Sequence, residues 1–190
     1  MPAIAAPRNV TATADERNKL IAAAAPHLRC WLLLCSDLAM RSGTAAKIAP
    51  RHYDAARGTL TFTTKKGREM CLPVTAELER ILRPLAKEDG ATPFVWLLHP
   101  NGRIDVQNLR AAMQRLMKRQ GINRRIIPHD LRRTTAVQVY EGSHDLRLVQ
   151  AVLGHRHLAS TLHYLDHRIT KVGAPTLELA KLNPHTEAIQ

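Results

Sequence analysis

Apolar residues in the first forty positions recur at helical spacing and predict two consecutive helices. The first begins at Thr13-Ala-Asp-Glu16, a capping box in which each of the two end side chains accepts a backbone amide proton, and it runs to about Ala25. The second begins at Pro26, a residue suited to a first helical turn. Its apolar positions lie three or four residues apart: Leu28, Trp31, Leu32, Cys35 and Leu38. This spacing predicts a core helix that ends before the polar stretch 40–44.

The pattern changes to β-type runs after residue 50. Runs 59–63 and 70–74 are rich in Thr, Leu, Phe and Val, and they flank the polar segment Thr64-Lys-Lys-Gly-Arg-Glu69. This arrangement predicts a β-hairpin with a basic tip. Pro73 confines the second strand to a sheet edge or a strand end, because proline cannot donate to the ladder.

The rest of the chain has mostly helical patterning, with helices predicted near 76–88, 105–120, 129–141, 145–152, 158–168 and 175–183. The predicted fold class is therefore α+β, mainly α-helical with a small antiparallel β-sheet. Residues 1–12 are rich in Ala, Pro and Thr without periodicity, and are predicted to be a flexible lead-in.

Length and composition indicate one globular domain. The chain has 190 residues, of which 45% are hydrophobic and 23% charged, and this balance excludes bulk disorder. The longest apolar runs are far shorter than the roughly 18 residues of a membrane span. With no secretory signal pattern at the N-terminus, a cytoplasmic location is expected. Three cysteines are an odd number, and a disulfide framework is not expected.

The charge of the chain points to a polyanionic partner. Lys and Arg number 28 against 16 acidic residues, a net charge of +12. Nine of these cations fall between residues 103 and 133, where a basic face is expected. Nucleic acid is the first partner to consider, and a merely solvated basic surface is the alternative.

The residues that could carry chemistry occur in a few short motifs. His129 and Arg132 lie three apart at a helix start, so both could reach one phosphate. His155 follows a glycine helix stop in Val152-Leu-Gly-His155, and Tyr164 comes nine residues later. Arg41 lies at the polar break after the core helix, and the hairpin tip supplies Lys65 and Lys66.

Together and in this order, these elements resemble the catalytic domain of the tyrosine recombinase (phage integrase) family over about residues 13–167. The resemblance implies that residues 13–190 form a catalytic domain with the mainly helical fold shared with type IB topoisomerases. It further implies a site-specific DNA recombinase that cleaves and rejoins double-stranded DNA through a 3′-phosphotyrosyl intermediate, with neither metal, ATP nor any other cofactor.

The resemblance assigns a role to each motif residue. Tyr164 is the nucleophile, and His129 accepts its proton and returns it on religation. Arg41 and Arg132 grip the non-bridging phosphate oxygens, and His155 hydrogen-bonds the phosphate. Lys65 protonates the departing 5′ oxygen, with its neighbour Lys66 as the alternative.

The chain also departs from the family pattern. Ala39 stands where the family usually has Gly, and Thr44 stands where it usually has the acidic residue that braces the first arginine. Full-length members carry a DNA-clasping domain of about 100 residues before the catalytic domain, so the chain is expected to be an excised catalytic fragment or a minimal recombinase. The family also assembles as a tetramer on DNA, with the free protein expected to be a monomer, and uses the segment corresponding to about 169–190 to dock onto a neighbour. Leu177, Leu179 and Leu182 are the candidate contacts, unless they fold back on their own core.

Two other interpretations of the motifs remain open. Tyr164 could be a packing residue, and the protein a catalytically silent DNA-binding protein of the same fold. A metal-dependent nuclease is another class, because four histidines could in principle hold zinc: His155, His157, His163 and His167. A cytoplasmic location, with association to the nucleoid when DNA is bound, is expected for the recombinase and for the DNA-binding protein.

Overall fold

A computed structural model describes residues 10–64, 67–88, 90–162 and 164–165. The helices are α1 (Ala14–Ala23), α2 (Pro26–Ser36), α3 (Ser42–Ala45), α4 (Ala76–Leu82), α5 (Phe94–Leu97), α6 (Val106–Arg119), α7 (Pro128–Ser143) and α8 (Leu146–Leu153). Residues 158–162 and 164–165 are helical as well. The strands are β1 (Tyr53–Asp54), β2 (Thr59–Thr63) and β3 (Glu69–Pro73). The α+β class, mainly helical with a small sheet, is confirmed.

Helix α2 is the centre of the larger hydrophobic core. It packs against α1, α4, α5, α6 and α7, so its residues from Cys30 to Ser36 are buried on every side rather than along one stripe. Burial raises the pKa of the Cys30 thiol to about 12, and that of Cys35 rises for the same reason. Both thiols are free and behave as small hydrophobic side chains, and Cys71 is free and exposed.

The three strands form an antiparallel sheet in the order β1-β2-β3. The register pairs Thr59 with Pro73 and Thr63 with Glu69, which confirms the hairpin. Pro73 ends an edge strand, as predicted. Strand β1 has two residues, too few to show a pattern in the sequence. Lys65 and Lys66 at the tip lie outside the described residues.

Two predicted boundaries differ from the structure. The helix expected over 76–88 ends at Leu82 and continues as a 3-10 turn, Arg83–Leu85, because Pro84 cannot donate an α-helical hydrogen bond. The short helix α5 was not predicted. Ala12, at the end of the predicted lead-in, is buried, and its amide donates to Thr134 of α7 (2.8 Å).

Across the described ranges no helix is long and apolar enough to span a membrane.

A second, smaller core lies between α7, α8 and the helical residues 158–165. Its buried members are Ala39, Ala136, Val137, Tyr140, Val149, Leu153, Tyr164 and Leu165. Leu131 of α7 belongs to the larger core, while Ala136 and Tyr140 of the same helix belong to the smaller one. Helix α7 therefore joins the two cores, and the motif residues at its N-terminal end lie at their junction.

The predicted capping box at α1 is present and is extended by an ion pair. Thr13 and Glu16 accept each other's backbone amide protons. Arg124 donates to both carboxylate oxygens of Glu16 and to the Thr11 carbonyl. The hydrogen bond from Arg124 is the main reason that the pKa of Glu16 falls to about 2. This cluster ties α1 to the loop before α7.

We expect Glu16→Gln to lower the free energy of unfolding at neutral pH by about 1 to 2 kcal/mol, because it removes charge-assisted hydrogen bonds. Solvent screens the pair at Arg124, whose side chain is 44% exposed, which keeps the loss modest. Since the native pKa of Glu16 is depressed, its stabilisation is complete above about pH 4.5 and disappears as the pH falls towards 2. Urea unfolding of both proteins across this range measures the difference.

The matched control is Asp15→Asn, which breaks an exposed pair with Lys19 one helical turn away. Its effect should stay below about 0.5 kcal/mol at neutral pH. Equal losses in the two variants would contradict the assignment.

Candidate functional site

The first turn of α7 presents the His-x-x-Arg pair. Pro128 occupies the first helical position, and the buried Asp130 carboxylate accepts the amide proton of Ile127 (3.0 Å). This cap fixes the start of the helix. His129 is consequently exposed at the rim, while Arg132, one turn later, points into the junction of the two cores and is 3% exposed.

The guanidinium of Arg132 is held on several sides. One terminal nitrogen donates to the Ala39 carbonyl, the other donates to the Leu153 carbonyl (2.7 Å), and Nε donates to the Tyr164 hydroxyl (3.4 Å). A buried charge is tolerated only with such partners. Burial lowers the pKa of Arg132, but a guanidinium remains protonated at neutral pH. The arrangement fixes a positive charge beside the tyrosine oxygen.

Ala39 has a backbone conformation that favours glycine, the residue that the family usually has at this position. Its φ is +48°, in the left-handed region, and it is fully buried. This bend directs its carbonyl to Arg132. A left-handed alanine costs about 1 to 2 kcal/mol, which burial of its methyl group, worth about 0.8 kcal/mol, offsets in part. The chain therefore keeps the conformation although it lacks the glycine.

Tyr164 is buried and surrounded by motif side chains. Its hydroxyl lies 3.4 Å from Nδ1 of His129, and its ring centroid lies 5.0 Å from that of His129 and 5.2 Å from that of His155. The guanidinium carbon of Arg133 lies 5.2 Å from the ring centroid. Because Arg132 can only donate, the phenolic oxygen accepts from its Nε, and His129 Nδ1 lies within hydrogen-bond distance of the same oxygen.

The electrostatic environment keeps His129 neutral. Loss of hydration is the largest cause, and with the charges of Arg132 and Arg133 it lowers the pKa of His129, against a small opposing effect of Asp130. The neutral ring has one unprotonated nitrogen, so it can take up a proton at physiological pH.

His155 is positioned by the turn that ends α8. Gly154 has a φ of +60°, the usual conformation of a helix stop, and the His155 ring turns back towards Arg132. The contact between Nε2 and Arg132 Nη2 is 3.3 Å, and that between Nδ1 and Thr161 Oγ1 is 3.1 Å. Since arginine only donates, Nε2 is an acceptor, and Nδ1 carries the proton that Thr161 accepts.

Arg41 faces the same site from the start of α3. Together with His129 and Arg132 it lines a cavity of about 800 Å³, whose opposite wall is α6. The positive charge of Arg41 contributes to lowering the pKa values of both His129 and Arg132, as expected for near neighbours. Among the described residues no carboxylate lines this cavity. It is therefore suited to an anion.

Five of the six predicted site residues thus lie together: Arg41, His129, Arg132, His155 and Tyr164. Lys65 and its alternative Lys66 lie outside the described part of the chain, as do Leu177, Leu179 and Leu182 of the predicted docking tail. Thr161 and Arg133 were not predicted, since neither occupies a motif position. Arg110 of α6, which donates to Ser42 Oγ (2.9 Å) beside Arg41, was not predicted either. The only sequence signal for Arg110 was its position in the basic segment 103–133.

Two of the nine cations in the basic segment 103–133 are buried and do not belong to the exposed basic face that was expected. Arg132 and Arg133 are buried, Arg124 is paired with Glu16, and Arg110 and Arg125 line the cavity. The cations are distributed by their individual contacts, which net charge does not reveal.

Over the described ranges no three His, Cys, Asp or Glu side chains are close enough to hold a metal ion. Both ring nitrogens of His155 contact other side chains, which makes it a poor ligand. His163 and His167 of the zinc alternative lie outside those ranges.

Comparison with known proteins identifies the family. The model of the phage integrase family matches residues 11–170. The chain belongs to this family. Among sequences, this integrase-family chain is 30% identical to the tyrosine recombinase XerC of Serratia marcescens over 167 residues, 83% of the chain and 54% of that protein. It is also 30% identical to XerC of Xanthomonas campestris pv. campestris over 138 residues, 72% of the chain and 43% of that protein. The integrase-family chain thus spans about half the length of the curated relatives it matches.

Solved structures share the fold at lower identity. A XerA recombinase matches with a TM-score of 0.70 and 23% identity, covering 83% of the integrase-family chain and 61% of the other. The catalytic domain of bacteriophage HP1 integrase matches with a TM-score of 0.65 and 18% identity, covering 96% of this chain and all of that one. A XerH recombinase in a post-cleavage complex with difH DNA has a TM-score of 0.67 and 19% identity, covering 88% and 52%.

The turn that carries His155 generates a prediction. Because Gly154 has a positive φ, Gly154→Ala should lower the free energy of unfolding by about 1 to 2 kcal/mol. The new Cβ would also lie 3.0 Å from the Met70 sulfur, which must shift. Denaturant unfolding measures the loss.

Gly142→Ala is the matched control, because Gly142 lies in α7 with nothing within 4 Å of the added methyl. It should be neutral or stabilising by up to about 1 kcal/mol. If Gly154→Ala were as stable as Gly142→Ala, the turn would not depend on its left-handed glycine.

Proposed function

We propose that this chain is the catalytic part of a site-specific DNA recombinase, in which Tyr164 cleaves and rejoins double-stranded DNA. The observation that carries the proposal is the position of the Tyr164 hydroxyl, which lies 3.4 Å from both Arg132 Nε and His129 Nδ1. These groups lie at the edge of a basic cavity, and no carboxylate is found among the described residues that line it. A packing tyrosine requires neither contact.

Phosphate binding is the first step. Arg41 and Arg132 bind the non-bridging oxygens of one phosphodiester from two sides of the cavity, and the planar guanidinium suits this geometry. Arg132 is held by backbone carbonyls before DNA arrives, so little reorganisation is needed. Such preorganised donors stabilise the charge that grows in the pentacoordinate transition state, commonly by 10²- to 10³-fold in rate per donor.

Covalent chemistry follows from the contacts of Tyr164. The phenolic oxygen attacks phosphorus while His129 takes the phenolic proton, so an O–P bond forms and the P–O5′ bond breaks. Lys65 gives a proton to the departing 5′ oxygen. The product is a 3′-phosphotyrosyl link, which a different DNA 5′-hydroxyl attacks in the reverse sequence. The number of phosphoester bonds is unchanged, so no ATP is required. The two arginines supply the positive charge that a metal ion would otherwise provide.

The role of His155 has two stages in this proposal. Without DNA its Nε2 accepts from Arg132 and helps to orient that guanidinium. To hydrogen-bond the phosphate, Nε2 must carry a proton, and the arriving negative charge favours the protonated ring. Thr161 fixes the ring in both stages through Nδ1.

The proposal extends to assembly and domain organisation. Residues 13–190 act as the catalytic domain, and four copies assemble on paired DNA sites through the segment after Tyr164. DNA as substrate implies a cytoplasmic, nucleoid-associated protein. The XerH complex with difH and the recombinase names of the relatives support a DNA substrate.

A catalytically silent DNA-binding protein is the second candidate, favoured by the replacement of the bracing carboxylate by Thr44.

A covalent adduct tests the proposal. The protein is incubated with nicked suicide DNA carrying its native attachment site, in EDTA, and denatured for electrophoresis. We expect a protein–DNA band that Tyr164→Phe abolishes and that Tyr140→Phe, a second buried tyrosine of the same core, retains. No adduct on a verified site would contradict independent catalysis by this chain and indicate either the DNA-binding alternative or a catalytic part that needs a separate DNA-clasping domain. Free ends that EDTA suppresses would indicate a metal nuclease.

The lowered pKa of His129 predicts the pH dependence of cleavage. Because neutral His129 is the base, its active form persists below the ordinary histidine pKa of about 6.5. The second-order rate constant for cleavage, measured at subsaturating DNA, should rise with pH through a midpoint below 6.5. His129→Gln should lower that rate constant by at least about 10²-fold and remove this midpoint. A midpoint above 7 would contradict the assignment of the base.

A further inference from the structure

A second basic cavity lies between the β2–β3 hairpin and α8. Its volume is about 460 Å³, and three arginines line it: Arg68 from the hairpin, Arg147 from α8 and Arg156 from the turn after α8. All three are exposed at the surface. As in the larger cavity, no carboxylate appears among the described residues that line it. Three positive charges therefore converge without a counter-charge in the cavity wall.

Hydrogen bonds to the His155 turn hold this cavity in shape. The His155 carbonyl accepts from Arg68 Nη1 (3.2 Å) and from Gln150 Nε2 (3.1 Å). Gln150 Oε1 accepts from Arg147 Nη1 (3.3 Å), and Gln150 Nε2 also donates to the Arg156 carbonyl (3.3 Å). The arginines are thus arranged around one fixed turn, which reduces the conformational entropy lost on binding an anion.

The arginine cavity lies beside the candidate site. A small cavity between the two is lined by Arg41 and Arg132, which also line the 800 Å³ cavity, and by Thr64, which also lines the arginine cavity. His155 is common to both regions, since its ring faces Arg132 and its carbonyl faces Arg68. Both regions are therefore placed to contact one DNA strand.

We propose that Arg68, Arg147 and Arg156 form a second phosphate-binding site, which holds a backbone phosphodiester adjacent to the one that is cleaved. This inference rests on the proposed function for its ligand, DNA. Guanidinium groups bind phosphate oxygens through paired hydrogen bonds, and such contacts position a strand without reading its sequence. The site fixes the strand next to the scissile phosphate and takes no part in bond making.

The test measures how DNA binding depends on salt. Each phosphate contact steepens the plot of log affinity against log salt by about 0.9. With nonspecific duplex DNA, we expect the double variant R147Q/R156Q to reduce this slope by about 0.9. Arg80→Gln, an exposed α4 arginine that lines neither cavity, is the matched control and should leave the slope unchanged. Arg68 is kept, because it also supports the His155 turn.

The outcomes separate this inference from the proposed function. An unchanged slope in a folded R147Q/R156Q protein, or an equal loss in Arg80→Gln, would overturn the second site. If the double variant melts early, Arg156→Gln alone repeats the measurement. Stabilisation of the wild type by inorganic phosphate that R147Q/R156Q loses, with an unchanged DNA slope, would indicate a free-anion site and also overturn the proposal. The Tyr164 adduct is scored separately with the wild-type protein: failure to form it would contradict the proposed function, while the salt slopes alone decide the second phosphate site.

Discussion

The buried charge of Arg132 is the constraint on which the rest of the site depends. A guanidinium that is 3% exposed needs hydrogen-bond acceptors close by, and this chain supplies them from three separate places: the Ala39 bend, the end of α8 and Tyr164. Each acceptor requires a particular conformation or packing of its own segment. Ala39 must adopt a left-handed conformation, α8 must stop at Leu153, and the helix that bears Tyr164 must pack against α7. One side chain thus couples the two cores.

Motif residues were predictable from the sequence where a local rule specifies them. The capping box at Thr13, the glycine stop at Gly154 and the edge position of Pro73 each follow from a few neighbouring residues, and the structure contains all three. The joint order of the motifs extended this to five site residues. What could not be predicted depends on contacts between distant segments. Thr161 and Arg133 meet the site only after α7, α8 and residues 158–165 have packed, and no spacing rule marks them.

The same limitation explains the basic segment. Its nine cations suggested one face, yet two are buried, one pairs with Glu16, and others line a cavity. Charge density along a sequence indicates the class of partner, while the direction of each side chain is decided by tertiary packing. Cations that converge without carboxylates repel one another, and an anionic ligand relieves that repulsion. The basic cavities proposed to bind DNA therefore also lower the stability of the protein when no anion is bound.

The contacts of Tyr164 have a consequence for assemblies of several copies. The tyrosine lies against Arg132, His129 and His155 of its own chain, so the described part of one subunit brings the proposed nucleophile and its proposed activating groups together without a neighbour. If copies assemble in this state, mixing a subunit deficient in the tyrosine with one deficient in the histidine restores no active centre. Genetic complementation between such alleles is then absent. Any alternation between active and inactive subunits then depends on how the helix that bears Tyr164 packs within its own chain.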